Sequence, residues 1–138
     1  MKQTFKTLVV LGIALMGRIA LAAVPDPIDP REAVNYTYEQ RLAQTKQLHA
    51  KLKEATAAER QMYFDKSVEM IKKLPPEERR ALREKFKSQW KNLTDEQKKE
   101  VKQEARSFLK SLPEEERKEM KHRRKSMHDF MSPEERKH

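Results

Sequence analysis

The chain lacks cysteine altogether and has only two glycines, Gly12 and Gly17, so no glycine follows position 17. Without cysteine there is no disulfide framework, no thiolate metal site and no lipid-modified cysteine. Without later glycines, phosphate-binding loops, dinucleotide fingerprints and nucleophile elbows are excluded. No Ser/His/Asp constellation survives a helical interpretation of the chain. The sequence therefore predicts that the protein is not an enzyme and carries no cofactor.

What the chain has in excess is charge. Of its 138 residues, 38% are charged, and the formal net charge at pH 7 is +9. This length allows one small domain. The positive balance favours anionic partners at long range, without specifying which.

The first 22 residues have the pattern of a secretory signal peptide. Lys2 and Lys6 precede an apolar run over residues 8–17, and Ala20 and Ala22 supply the small residues of a cleavage site. The run is too short to span a bilayer. We therefore expect export with cleavage of residues 1–22, with a retained anchor as the alternative.

Residues 23–35 form a proline-rich leader. Pro25, Pro27 and Pro30 recur within six residues, which favours an extended, solvated segment. We expect this leader to have nothing to pack against.

A six-residue unit recurs at a strict spacing of nineteen residues from residue 36 onwards. Its second position is Thr, Pro or Ser, and its fifth is always Glu or Gln, which is the spacing of a helix-capping box. Proline suits the first helical turn, where no amide hydrogen is needed. The unit therefore predicts helix starts, which explains its paired carboxylates without catalysis. The units begin at Tyr36, Ala55, Leu74, Leu93, Leu112 and Met131.

Apolar residues follow each start in steps of four, four and three, as in Leu82, Phe86, Trp90 and Leu93. Such steps form one stripe on a helix. The sequence predicts an all-α fold over residues 36–119, with tandem 19-residue repeats forming short helices in antiparallel hairpins or a zigzag, joined by two or three residues. Because each helix offers only about four apolar positions, we expect a homodimer that buries more of the stripes.

Residues 120–138 form a basic tail with methionine and histidine. Arg124 occupies a position that is apolar in other units, so we expect this tail to be frayed or independently helical. Its densest basic run is a candidate anionic-surface contact, which electrostatics alone supports. No nucleic-acid motif accompanies it, so nucleic acid is disfavoured. The candidate basic surface is Lys121, Arg123, Arg124 and Lys125.

The segment Leu93-Thr94-Asp95-Glu96-Gln97, behind a secretory signal in a small helical chain without cysteine, resembles the LTxxQ-type periplasmic stress proteins, which include the Spy, CpxP and zinc-resistance-associated proteins. Residues 74–82 also resemble an uncharacterised family of exported proteins with repeated LPPEER segments. These resemblances cover roughly residues 74–136. They imply a periplasmic, all-helical dimer with an envelope-stress role that holds unfolded clients on a basic, partly apolar face.

The first functional hypothesis is an ATP-independent periplasmic chaperone or stress adaptor for unfolded or envelope proteins. Exposed apolar rows mark binding surfaces. The alternative is that this row is simply core or dimer seam. The candidate client-binding residues are Tyr63, Leu82, Phe86, Trp90, Phe108 and Leu109.

The second hypothesis is a periplasmic copper or zinc sensor or buffer. Thioether and imidazole ligands together suit copper, but no pair in the tail has a strong zinc spacing. His49 stands alone, and we expect it at the surface. The first hypothesis assigns no metal site, and the alternative metal ligands are His122, His128, Met127 and Met131.

Overall fold

The computed structural model describes residues 24–131, which form an all-α fold with no strand in that range. The predicted signal peptide, the last unit from Ser132 and the end of the tail lie outside the described residues. No helix within residues 24–131 is long and apolar enough to cross a membrane. The helices are α1 (Pro30–Ala33), α2 (Tyr38–Glu54), α3 (Ala57–Lys72), α4 (Pro76–Lys91), α5 (Asp95–Ser111) and α6 (Glu114–Phe130).

The five long helices begin where the recurring unit predicts. Their N-cap residues are Thr37, Thr56, Pro75, Thr94 and Pro113, each nineteen residues after the one before. At Thr94 the hydroxyl accepts the Gln97 amide hydrogen bond at 3.1 Å, and the Gln97 side-chain oxygen accepts from the Thr94 amide at 3.0 Å. Five of the six predicted helix starts are therefore confirmed, with the two- and three-residue linkers between those helices, and the sixth lies outside the described residues.

The ends of α2 and α3 are closed by arginines from the following unit, and no glycine is present there to do it. Arg60 Nη1 donates to the carbonyls of Leu52 at 3.0 Å and Ala55 at 2.6 Å. Arg79 Nη1 donates in the same way to the carbonyls of Leu74 at 3.0 Å and Lys72 at 3.3 Å. Both arginines are buried. Each therefore satisfies carbonyls that the end of an α-helix leaves without partners.

The closest helix packing joins helices three apart in the chain, α2 with α5 and α3 with α6. Hairpins between consecutive helices would instead have paired neighbours. One apolar cluster contains the buried residues Val34, Leu74 and Leu82 with Phe86 packed against it. The other has Leu52, Phe108 and Leu112 at its centre, surrounded by Val24, Leu48, Tyr63, Phe64, Leu109 and Met120.

The leader takes part in the fold. Val24 packs against the second cluster, the Asp26 carboxylate lies 3.0 Å from Lys66 Nζ, and Pro30 begins the short helix α1. The expectation that the leader has nothing to pack against is therefore wrong.

The tail also packs, as far as Met131. α6 continues without a break to Phe130, and Met120 packs against the second cluster. Arg123 Nη2 lies 3.0 Å from an oxygen of Asp65 on α3. The described part of the tail is therefore helical and not frayed. It packs against α3, so the expectation that this helix is independent is wrong.

Candidate functional site

An apolar groove of about 470 Å³ lies between α2, the C-terminal half of α4 and α5. Side chains from these three helices and the α4–α5 linker form its walls. We call it the Trp90 groove, after the single tryptophan of the chain. Its apolar and aromatic lining consists of Tyr36, Tyr38, Leu42, Phe86, Trp90, Leu93 and Val101.

Arg41 and Gln89 join α2 to α4 and belong to the lining of this groove. Arg41 Nη2 donates to the side-chain oxygen of Gln89 at 2.8 Å and to the carbonyl of Ala33 at 3.0 Å. Gln89 Nε2 donates in turn to the carbonyl of Val34 at 2.7 Å. Two polar side chains thus satisfy the end of α1 and fix the distance between the helices that line the groove.

Arg41 is a half-buried cation without an ion pair among the described residues. Its guanidinium lies over the Phe86 ring, 4.9 Å from the centroid, and its buried Nε has no hydrogen-bond partner. Burial lowers the pKa of Arg41 from its usual value. A buried donor left without a partner is costly. Because this Nε is itself buried, Arg41 offers a ligand in the groove its positive charge rather than that N–H group.

Further contacts join α2 and α5 beside the groove. The Tyr38 hydroxyl donates to a Glu100 carboxylate oxygen at 3.0 Å, and burial with that carboxylate raises the pKa of Tyr38. His49 stacks on Phe108 with ring centroids 4.1 Å apart, and its Nδ1 lies 3.0 Å from a Glu104 oxygen. The expectation that His49 is a surface residue is therefore wrong, since its side chain is only 14% exposed.

The six predicted client-binding residues divide between grooves and core. Phe86 and Trp90 line the Trp90 groove. Leu82 and Phe108 are buried, one in each apolar cluster, and of the two only Leu82 also lines a described groove, the one with Met127 and Met131. Leu109 is half-buried against the second cluster, which is also where Tyr63 packs.

Two smaller grooves meet the first at Phe86. One, of about 360 Å³, lies between the leader and α2 and is lined by Tyr63 and Arg41. The other, of about 330 Å³, is lined by Ile28, Met127 and Met131. Phe86 lines all three grooves. The structure therefore brings Tyr63, Phe86 and Trp90 to connected surfaces.

The predicted basic surface is not uniform. Arg123 is only 18% exposed, pairs with Asp65, and lies 5.8 Å from the centroid of the Phe64 ring. Lys121, Arg124 and Lys125 are exposed. Arg123 thus attaches α6 to α3, while the other three face solvent.

The alternative metal ligands do not converge in the described residues. His122 and His128 are exposed, whereas Met127 and Met131 are half-buried in the third groove. An Arg83 nitrogen contacts the Met131 sulfur, which places a cation beside that thioether. Within residues 24–131 no three His, Asp or Glu side chains gather in an arrangement that could hold a metal ion.

Sequence reasoning missed Arg41, Gln89 and the tyrosines of the groove. The signal for Arg41 was present, because arginine also follows the Glu or Gln of the unit at Arg60 and Arg79. A basic residue that recurs at an inward-facing position of an amphipathic helix indicates a buried structural role. No comparable signal marks Gln89, which acts through contacts far apart in the chain.

The chain belongs to a family whose model matches most of its length. A family model described as a protein of unknown function, DUF3106, matches residues 35–138. The match begins two residues before the N-cap of α2 and so covers all five long helices. Neither the curated proteins nor the solved structures include a match to this chain.

Proposed function

We propose that this protein is an ATP-independent chaperone or stress adaptor of the bacterial periplasm, which holds apolar segments of unfolded proteins in the Trp90 groove. The observation that carries the proposal is the groove itself, an open apolar surface with two aromatic side chains, Phe86 and Trp90, predicted from the sequence to contact clients. Contiguous accessible apolar surface on a small protein marks a binding site.

The chemistry of the groove suits a polypeptide better than a rigid small molecule. Leu42, Val101 and Trp90 offer apolar contacts that do not depend on one ligand shape. Arg41 adds a positive charge to the lining, which favours an acidic side chain of the client. A holdase needs this combination of broad apolar contact and few directional bonds, and it needs no nucleotide.

The location is part of the proposal. The pattern of residues 1–22 and the resemblance to LTxxQ-type stress proteins support export to the periplasm. Cell fractionation with detection of the processed N-terminus tests it. Recovery of the unprocessed chain in the cytoplasm would contradict it.

Trp90 makes client binding directly measurable. Adding reduced, carboxymethylated α-lactalbumin, which stays unfolded, should shift the Trp90 emission to shorter wavelength and protect it from a collisional quencher, because the client covers the indole. The emission of the client's own tryptophans is measured with the Trp90→Phe protein and subtracted. The same protein should suppress aggregation of a heat-denatured client at equimolar ratio.

Matched variants separate the groove from apolar surface in general. Leu42→Gln and Val101→Gln should each weaken client binding about tenfold, since an apolar contact is worth roughly 1.5 kcal/mol or more. Met62→Gln is the control, because Met62 is 59% exposed on α3 and does not line the groove. An unchanged Trp90 spectrum, or equal losses from Leu42→Gln and Met62→Gln, would refute the groove as the client site.

The metal hypothesis has no observation of its own in the structure, and it stays a prediction. Titrating copper and zinc into the full chain and into Met127→Leu/His128→Gln tests it without deleting α6, which packs against α3.

A further inference from the structure

Two carboxylates of helix α5, those of Glu100 and Glu104, lie on the side of the helix that faces α2. Glu100 lies within 3.4 Å of Lys46 Nζ and accepts the Tyr38 hydrogen bond, and Glu104 lies beside His49. These carboxylates therefore face α2. The basic residues of α5 lie on another side of the helix and face away from that contact.

Four of these basic residues line one shallow depression of about 410 Å³. We call them the α5 basic face: Lys98, Lys99, Lys102 and Arg106. None of the four forms an ion pair within residues 24–131, although Asp95 shares the depression. Over eight residues the row extends about 12 Å along the helix.

This arrangement differs from an ordinary solvated helix face. Such faces usually intersperse both signs at spacings of three and four residues. Lys98, Lys102 and Arg106 instead follow one another at spacings of four, so their charges repel along the helix. Elsewhere Lys46, Lys66 and Arg123 do find carboxylates. Four cations share one depression whose lining contains a single carboxylate, Asp95, and this local excess of positive charge points to a negatively charged partner.

We propose that the α5 basic face docks the protein on the anionic phospholipid headgroups of a membrane surface. The depression contains no apolar side chain, so the contact is electrostatic and peripheral. Anionic lipid attracts basic residues close to the surface, with each one strengthening binding about fivefold. The predicted signal peptide implies export to a compartment bounded by membranes, which favours lipid over nucleic acid as the anionic partner.

Docking in this way would hold the Trp90 groove next to the membrane. Lys102 Nζ lies 5.9 Å from the centroid of the Trp90 ring, so the basic face and the groove meet at that pair. Membrane docking does not depend on client binding, since the two surfaces use different side chains apart from this boundary.

The test is cosedimentation of the full chain with phosphatidylcholine vesicles, with and without about one-third phosphatidylglycerol. The variant Lys99→Gln/Lys102→Gln/Arg106→Gln should lose about 100-fold in affinity for the anionic vesicles at low salt, because three such contacts are removed. Salt of about 0.5 M should abolish the lipid-dependent difference for the wild type. Because all variants keep residues 1–22, any contribution of that segment cancels.

The comparison variant removes the same charge from α6, whose basic residues are the competing anionic-surface candidate of the sequence analysis. Lys121→Gln/Arg124→Gln/Lys125→Gln neutralises three exposed basic residues of α6 and should retain most of the affinity. Equal losses of affinity from both triple variants would show that only net charge matters and would overturn the proposal. No loss of affinity from either variant would overturn it as well. Lys99→Arg/Lys102→Arg should bind as the wild type does, which guards against a folding defect. Polyglutamate competing as well as the vesicles at equal charge would assign the face to an acidic polypeptide and overturn the lipid proposal.

Discussion

Arg60 connects three separate segments of the chain through one side chain. Its Nε and Nη2 donate to the two carboxylate oxygens of Glu116 at 2.8 and 3.1 Å, while Nη1 closes the end of α2. Bidentate pairs of this kind are geometrically specific as well as strong. Arg60 therefore joins α2, α3 and α6 where the second apolar cluster is packed.

We expect Arg60→Ala to lower the free energy of unfolding by about 3 kcal/mol. The substitution leaves Glu116 half-buried without its cation and reopens the carbonyls of Leu52 and Ala55. Urea denaturation followed by circular dichroism measures the change. Arg80→Ala is the control, because Arg80 is exposed and should change stability by less than about 0.5 kcal/mol. Equal effects of the two substitutions would contradict the structural role of Arg60.

Tyr63 should make stability depend on alkaline pH. Burial raises the pKa of Tyr63 above its ordinary value of 10.0. The folded state thus holds the phenolic proton more tightly than the unfolded state does. The stability that protonated Tyr63 contributes to the folded state is fully present below about pH 10 and is lost as pH rises through the raised pKa. The wild type should therefore lose stability relative to Tyr63→Phe as pH rises above about 10. A constant difference between their free energies of unfolding from about pH 8 to 12 would show otherwise.

At the scale of single residues, the sequence could identify Phe86 and Trp90 because their spacing places them on one helical stripe. It could not separate them from Leu82, which lies on the same stripe but packs under Val34 and Leu74. Periodicity gives the face of a helix, whereas burial along that face depends on which other helices cross it.

The helices themselves are set by local chemistry at their N-termini. Threonine caps α2, α3 and α5, while α4 and α6 begin after proline without a side-chain cap bond. Acidic residues occupy the first turn of every long helix, where the helix dipole favours them. These signals lie within a few neighbouring residues, which is why the starts were predictable.

We expect Thr94→Ala to cost about 1 kcal/mol of stability, because it removes the hydroxyl that accepts the Gln97 amide. Thr94→Ser should retain most of the cap. Hydrogen exchange of the first amides of α5 localises the effect, and exchange that is unchanged at those amides would contradict the capping role.

Helix pairing, in contrast, could not be predicted from the units. The Tyr38–Glu100 bond joins residues 62 apart, and the His49–Glu104 contact joins residues 55 apart. Units so similar in pattern allow many pairings with equal apolar burial. The pairing of α2 with α5 depends on individual polar contacts, and no sequence pattern identifies the residues that make them.

As a whole, the molecule has a small interior. The described residues bury six apolar side chains, divided between two clusters. Small domains with little buried surface are marginally stable on their own. This thin core is consistent with the homodimer expected from the sequence, which remains a prediction.

If the chain self-associates, its midpoint of thermal unfolding should rise with protein concentration, because association stabilises the folded form by mass action. Sedimentation equilibrium of the full chain should give a mass near twice 16.4 kDa. A midpoint that is independent of concentration, together with a monomer mass, would rule the dimer out.

Because these arginines bind carbonyls of the preceding helix, they constrain how the length of such a chain can vary. Arg60 contacts carbonyls five and eight residues upstream, across the α2–α3 linker. A single residue inserted in that linker would carry the guanidinium away from its acceptors. Loss or gain of nineteen residues would instead bring an equivalent arginine to the same place. We therefore expect natural length variants among related chains to differ by complete multiples of nineteen.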